Sequence, residues 1–319
     1  MDALAGLLDG PRAHGAFLMR SVFDPPWSVR IQDRAPLTLV TMLRGTAWVV
    51  PDQGAAVPLR PGDVAIIRGP EPYTIADDPA TAPQAVIHPG EHSTTPTGDA
   101  LCDVMDLGIR TWGERADGAA VLLSGTYQLQ GEVSQRLLRV LPHLLVLPAG
   151  ALDSPLIPLL DDEMTKDEPG QDVVLDRLLD LLLIAVLRAW FSRPEAAAPA
   201  WYRAHGDPVV GRALRLLHDH PAEPWTVATL AAGTGTSRAV LARRFTELVG
   251  EPPMAYLTNW RLALAADLLR EPDATVAAVA RQVGYGSSFA LSAAFKRVRG
   301  LSPAEHRQAV GSPDLTPVG

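Results

Sequence analysis

Six cations fall in two short clusters near the end of the chain: Arg238, Arg243 and Arg244 in one, and Lys296, Arg297 and Arg299 in the other. An arginine guanidinium is a planar fork of donors that matches the two acceptors of a guanine edge, and both residue types neutralise phosphate. Arg243 is two residues from both Leu241 and Phe245, so on a helix it faces away from their apolar stripe. There it could read a guanine in a major groove, or stand as a solvated surface charge. Arg238, Arg244, Lys296 and Arg297 have the same two readings, with phosphate as the partner. The chemistry on offer is recognition of double-stranded DNA.

Two copies of one element position these clusters. The first starts at Thr226-Val227 and continues through Leu230-Ala231, Gly235, Leu241, Phe245, Gly250 and Pro253. The second starts at Thr275-Val276 and continues through Val279-Ala280, Gly284, Leu291, Phe295, Gly300 and Pro303. The offset is 49 residues up to the turn glycine and 50 after it, as one extra residue in the second turn would give. A repeat of this kind predicts two copies of one supersecondary unit, here two helix-turn-helix units. Thr226, Ser237, Thr275 and Ser287 are expected N-caps, Asp207-Pro208 opens the domain, and Ser302-Pro303-Ala304-Glu305 reads as a capping box. The first recognition helix is expected to turn Val240, Leu241, Phe245 and Leu248 inward, and Phe245 and Phe295 are core anchors. A linker helix from Pro253 to the stop at Pro272 would be on the order of 27 Å long, comparable with one DNA turn.

The rest of the chain has to explain control. From Trp27 to Ala76 short apolar segments alternate with turn signals: Leu37–Leu43, Thr46–Val50, Val57–Leu59 and Val64–Ile67 read as strands of an antiparallel barrel or sandwich. Leu101–Ile109 and Ala120–Leu129 could complete it. After Gln130 the pattern becomes helical, over Val133–Leu141, Pro155–Thr165 and most clearly Asp172–Trp190. The wide apolar face of that last helix suits packing inside the domain or against a second chain. The segment Pro61–Tyr73 resembles the second motif of cupin barrels. Tyr73 stands where metal-binding cupins carry a histidine, and residues 31–60 contain neither His nor Glu. No metal or other cofactor is therefore expected. Trp27, Trp48, Tyr73 and Trp112 could line an effector cavity or simply fill the core. His88, Glu91, His92 and Cys102 form a weak cluster, read as solvated loop histidines and a packing cysteine.

Composition is consistent with this division. The net charge of −8 combines 28 Lys+Arg with 36 Asp+Glu. Residues 207–319 hold 12 of those cations and 10 of the acids, a net of +2, which leaves 16 against 26, or −10, for residues 1–206. An acidic sensing half and a DNA-facing half would produce this asymmetry. No apolar run has the length of a membrane span, no secretion signal is evident, and one cysteine fits a reducing cytoplasm.

Together these residues resemble the AraC/XylS family of bacterial regulators. The matching string is Leu241-x-Arg243-x-Phe245, Gly250-x-x-Pro253-x-x-Tyr256, Arg261-Leu262-x-x-Ala265-x-x-Leu268-Leu269, Val279-Ala280-x-x-Val283-Gly284-Tyr285, and Phe295-Lys296-x-x-x-Gly300-x-x-Pro303. The resemblance implies an α+β chain: a cupin-like sensor and dimerisation domain over 1–191, a linker over 192–206, a double helix-turn-helix over 207–310 and a tail over 311–319. It also implies a cytoplasmic homodimer, commonly an activator, that binds double-stranded DNA, acts with RNA polymerase and responds to a small molecule, with no enzymatic role. Ala293 departs from the family, whose members often carry arginine there. Ala239 and Ala242 replace larger base-reading side chains. Base reading in the first unit is then expected from Arg243 and Arg238, beside Ser237 and Arg244. The second unit offers Ser287, Ser288 and Ser292 to the groove, with Lys296 and Arg297 on phosphates. A cupin enzyme carrying a DNA-targeting module, and a ligand-independent architectural DNA binder, are the competing expectations.

Overall fold

Short strands build the N-terminal half, and those at its centre are buried almost continuously, as expected of a sheet covered on both faces. The computed structural model describes residues 18–311 apart from 91, 102–103, 128–130, 153, 194–195 and 197. Among these, residues 18–127 and 138–196 form one unit, and residues 131–137 and 198–311 form another. Glu91, Cys102, parts of the 192–206 segment and the 312–319 tail lie outside the described residues.

The first unit contains strands β1 (Leu18–Phe23), β2 (Ser28–Ile31), β3 (Leu37–Arg44), β4 (Ala47–Pro51), β5 (Val57–Leu59) and β6 (Val64–Arg68). It continues with β7 (Tyr73–Ala76), β8 (Ala85–His88), β9 (His92–Thr94), β10 (Thr111–Gly113), β11 (Ala120–Tyr127) and β12 (Leu144–Leu147). They form two six-stranded sheets, in the orders β10-β1-β11-β3-β6-β12 and β5-β4-β7-β2-β8-β9. The core between them holds Phe23, Trp27, Val40, Met42, Val49, Leu59, Tyr73, Trp112 and Leu122. Two expectations are corrected here. Val104–Ile109, the described part of the strand expected over Leu101–Ile109, is not one: Leu107 and Thr111 close a turn around Gly108, whose φ of 113° an L side chain rarely adopts. β10, just beyond that turn, takes the edge position instead. The chain after Gln130 is not wholly helical, because Leu144–Leu147 pairs with β6.

Two helices, Leu156–Met164 and Gln171–Phe191, follow in this unit. The longer one covers the first sheet. Leu179 fills the space that a side chain at Gly125 would need, 2.8 Å from that missing Cβ, and the Tyr127 hydroxyl donates to the Leu179 carbonyl at 2.9 Å. A strand covered on both sides can be buried throughout, as β3 is from Leu37 to Met42, with Thr38 and Thr41 the polar residues among them.

The second unit is helical: α1 (Glu132–Leu138), α2 (Ala200–Ala204), α3 (Val210–Asp219), α4 (Val227–Gly233), α5 (Arg238–Val249), α6 (Pro253–Leu268), α7 (Val276–Gln282), α8 (Ser288–Arg299) and α9 (Pro303–Gly311). Its caps follow from residue chemistry. Thr226 and Thr229 bond reciprocally as a capping box, Ser302 and Glu305 do the same, and Ser237, Thr275 and Ser287 each accept from a backbone N–H of the first turn. Helix α6 runs 16 residues, about 24 Å at 1.5 Å per residue. Its first half supplies Tyr256 and Leu257 to one core, and its second half supplies Leu262, Ala265 and Leu269 to the other. One helix thereby holds two helix-turn-helix cores in a single piece.

Candidate nucleic-acid interface

The repeat is visible in three dimensions. Helices α4 and α7 are seven residues each, and α5 and α8 are twelve. Four residues separate the first pair and five the second, which produces the step in offset from 49 to 50. Gly284 in the longer turn has φ 83°, and a Cβ there would lie 2.6 Å from the carbonyl oxygen of Ala222. Only glycine fits both demands. Arg261 ties the same region together, donating through Nε to the Pro221 carbonyl (2.6 Å) and through Nη2 to the Glu223 carbonyl (2.7 Å). Burial pushes its guanidinium below its ordinary pKa, but a guanidinium stays charged.

In α5 the buried stripe is Leu241 and Phe245. Val240 and Leu248, expected inside, are each 37% exposed: Val240 is one residue off the stripe, about 100° round the helix, and Leu248 lies in the last turn, beyond the buried pair. The face turned outward carries Arg238, Ala239, Arg243 and Glu247. Arg243 is 70% exposed, with Glu247 3.6 Å away as a loose i, i+4 partner. Arg244 behaves differently. Its Nε donates at 2.8 Å to Asp207 Oδ2, while Asp207 Oδ1 caps α3 by accepting from the N–H groups of Val209 (3.0 Å) and Val210 (2.9 Å). Burial disfavours the Asp207 anion, yet these donors and the guanidinium outweigh it and hold the carboxyl below its ordinary pKa. Ser237 and Ser287 spend their oxygen lone pairs on capping, while Ala242 and Ser292 are half-buried at the edge of the outward face.

Helix α8 buries Leu291, Ala294 and Phe295 and exposes Ser288, Phe289, Ala293, Lys296 and Arg297. Phe289 is absent from the residues that sequence patterning singled out, since a phenylalanine at helical spacing reads as core. Its position fifty residues after Ala239 was the available signal.

A further element of this unit was not legible. Helix α1 sits on the linker helix: Val133 packs with Trp260 and Ala263, and Arg136 Nη2 donates to the Asn259 carbonyl at 2.8 Å. Asp267 caps α1 by accepting from the N–H groups of Glu132 and Val133 (3.0 Å to the latter). Burial raises the Asp267 pKa despite these donors. Glu132 Oε2 pairs with Arg299 Nη1 at 2.8 Å, at the C-terminal end of α8. Nearby, His218 is stacked on Trp260 with centroids 4.4 Å apart, and its Nε2 lies 2.8 Å from the Tyr256 hydroxyl. Burial lowers the His218 pKa to about 4, with Arg136 adding to the effect.

The β-sheet unit encloses a cavity of about 430 Å³. Trp27, Tyr73 and Trp112 line it, together with Phe23, Asp33 and Ser124. Trp48, expected beside them, does not. Strand alternation turns Ala47 and Val49 into the core and leaves Trp48 half-buried on the other face of β4. Phe23 and Trp27 stack at 4.8 Å, and Phe23 meets Trp112 edge-on at 5.7 Å. Burial raises the Tyr73 pKa, so its hydroxyl is neutral and bonds with Thr38. His88 and His92 face each other across the β8–β9 hairpin rather than lying in a loop, and His88 Nε2 is 3.0 Å from Thr94 Oγ1. Among the described residues no group of three His, Cys, Asp or Glu side chains is placed to hold a metal, and no helix is long and apolar enough to cross a membrane.

Fold and site define a class: a two-domain protein joining a cupin-like β domain to a DNA-binding double helix-turn-helix. Residues 2–192 match the family model described as Cupin, and residues 230–309 match the one described as Helix-turn-helix domain. A putative AraC-like transcription regulator of Streptomyces lividans is 34% identical over 316 residues, covering 97% of this chain and 98% of the relative. Another, from Streptomyces antibioticus, is 34% identical over 313 residues and covers 97% and 99%. Among solved structures, the DNA-binding domain of AdpA in complex with a target DNA is 38% identical, covering 33% of this chain and 93% of that one, with a TM-score of 0.31. The chain belongs to the AraC family of DNA-binding transcription regulators.

Proposed function

We propose that this regulator is switched by a small molecule held in the β-domain cavity, and that it acts in the cytoplasm as a homodimeric activator with RNA polymerase. The cavity carries the sensing part of this reading. It is large enough for a small metabolite, and its lining combines aromatic faces with a few hydroxyl and carboxyl groups, the usual make-up of a ligand site. Tyr73 in place of a histidine supports sensing over metal catalysis. Strand β11 contributes Leu122, Ser124 and Thr126 to the lining and leads along the chain toward α1, which rests on the linker helix. A change in the cavity can thus be passed along continuous chain.

On the DNA side, Arg243 and Arg238 read bases in one major groove, with Ser237, Ala239 and Ala242 close to the base edges. Ser287, Ser288 and Ser292 approach the next groove, and Lys296 and Arg297 contact phosphate. Arg244 reaches phosphate only with the guanidinium edge that Asp207 leaves free. The long helix Gln171–Phe191 exposes Val173, Val174 and Leu181, which supports its use as the dimer face.

Footprinting on the DNA upstream of the protein's own gene, with and without a panel of small aromatic and amphipathic compounds, tests this function. A protected site whose occupancy or extent changes with one compound is expected, and a bulky substitution such as Ser124→Trp should abolish the response while leaving basal binding. An identical footprint with every compound, together with stoichiometric Fe, Mn or Zn in the purified protein, would favour a metal-dependent role instead.

A further inference from the structure

The most exposed large hydrophobic side chain among the described residues is Phe289, at 82%. It occupies the second position of α8, directly after Ser288 and two residues before the buried Leu291. Two residues are about 200° of helix, so the ring stands opposite the side that Leu291 and Phe295 press into the core. Lys296 lies on the same face two turns further on, and Arg297 adjoins it. The neighbours Ser288, Ala290, Ser292 and Ala293 are all small, and the ring therefore projects beyond every side chain around it. The repeat places Phe289 at the position Ala239 holds in the first unit, fifty residues earlier and on the outward face beside Arg243.

We infer that Phe289 is a base-reading residue that selects thymine in the groove entered by the second helix-turn-helix. A phenyl ring offers no donor or acceptor, so it cannot read a guanine, cytosine or adenine edge by hydrogen bonding. The only apolar group that a base presents in the major groove is the thymine C5-methyl. Covering that methyl would also remove the ring from water, which compensates for holding an apolar group exposed in the free protein. The second unit then has a specificity of its own: an A·T pair read through shape and apolar contact where the first unit reads through arginine. This rests on α8 entering a major groove.

The test is thymine-to-deoxyuridine scanning, which deletes one methyl and leaves pairing intact. Duplexes are first selected from a random pool by the full-length protein, and each thymine of the selected site is then replaced singly. For the wild type, one or two positions should lose about fourfold in affinity, the worth of one buried methyl. Phe289→Ala should bind the parent duplex about tenfold more weakly and no longer distinguish thymine from deoxyuridine at those positions. Phe289→Leu should keep part of the discrimination. An exposed site is not expected to disturb folding, and circular dichroism of both variants checks this. Wild-type affinity for Phe289→Ala, or unchanged deoxyuridine penalties in that variant, overturns the inference while leaving the groove assignment standing. A shift in sedimentation with unchanged DNA titration would instead assign the ring to a protein interface and overturn it. Failure of the wild type to select any sequence would remove the groove assignment and the inference together.

Discussion

Two adjacent arginines of α5 should part company when each is replaced by alanine. Arg243 is largely solvated, and its one partner, Glu247 at 3.6 Å, is a surface pair worth little. Arg243→Ala should therefore change stability by no more than about 0.5 kcal/mol. If the guanidinium is bidentate to guanine, the same change should weaken operator binding by about 1–3 kcal/mol, roughly 5- to 150-fold, and relax selection at one base. Arg244 has the reverse profile. Its partner Asp207 is 12% exposed and simultaneously caps α3, so removing the guanidinium takes a neutralising contact from a carboxylate held against backbone. The guanidinium is itself 45% exposed, and solvent screening keeps the loss to about 1 kcal/mol. Urea unfolding of the full chain measures the first quantity, and fluorescence anisotropy on a selected duplex measures the second. A larger stability loss for Arg243→Ala than for Arg244→Ala, or unimpaired specific binding by Arg243→Ala, would refute this division of roles.

Acid should loosen the DNA-binding unit. The folded His218 pKa of about 4 lies below the ordinary 6.5, so the unfolded chain takes up a proton that the folded chain refuses. Stability is then full above pH 6.5 and is lost as pH falls toward 4; at pH 5 the loss is about 2 kcal/mol, and a His218→Asn variant should show a flatter Tm-against-pH curve between pH 7 and 5. Gly284→Ala combines a positive φ with a 2.6 Å approach to the Ala222 carbonyl and should cost about 2 kcal/mol or more in chemical denaturation. A fully stable variant would mean that the turn can be rebuilt. Leu181→Glu, at a 51% exposed position, should convert a dimer to a monomer in analytical ultracentrifugation without loss of thermal stability. A wild type that sediments as a monomer at micromolar concentration would remove the dimer face.

Much of the DNA-binding unit could be read from the chain because its determinants are local. Thr226, Ser237, Thr275 and Ser287 cap helices whose starts they announce, and the doubled pattern of leucine, phenylalanine and glycine sets the turn lengths to the residue. Boundaries within the β unit were less legible. Strands such as Ser28–Ile31 and His92–Thr94 are three or four residues long and carry almost no periodicity. Leu101–Ile109 was apolar enough to suggest a strand, but Gly108 turns the backbone there. Val240 and Leu248 show the limit of pattern on a helix: the angle between residues leaves Val240 at the surface, and Leu248, although in line with Leu241, lies in the last turn beyond the buried pair.

The candidate site divides along the same line. That α5 and α8 would display Arg238, Arg243, Ser288, Lys296 and Arg297 followed from the 3.6-residue period alone, since a helix face depends on nothing beyond the helix. Which other groups of the unit are already engaged depended on distant chain: Asp207 holds Arg244 from 37 residues away, and Asp267 caps α1 from 134 residues away. The cavity depended on it too, because pairing of β1 with β10 brings Trp112 beside Phe23 from distant chain, and strand alternation leaves Trp48 out. Phe289 shows both at once. Its residue type and its place in the repeat were in the sequence, but the tertiary structure decided that no core element comes to cover it, because the helix turns its opposite side to Leu262, Val283 and their neighbours.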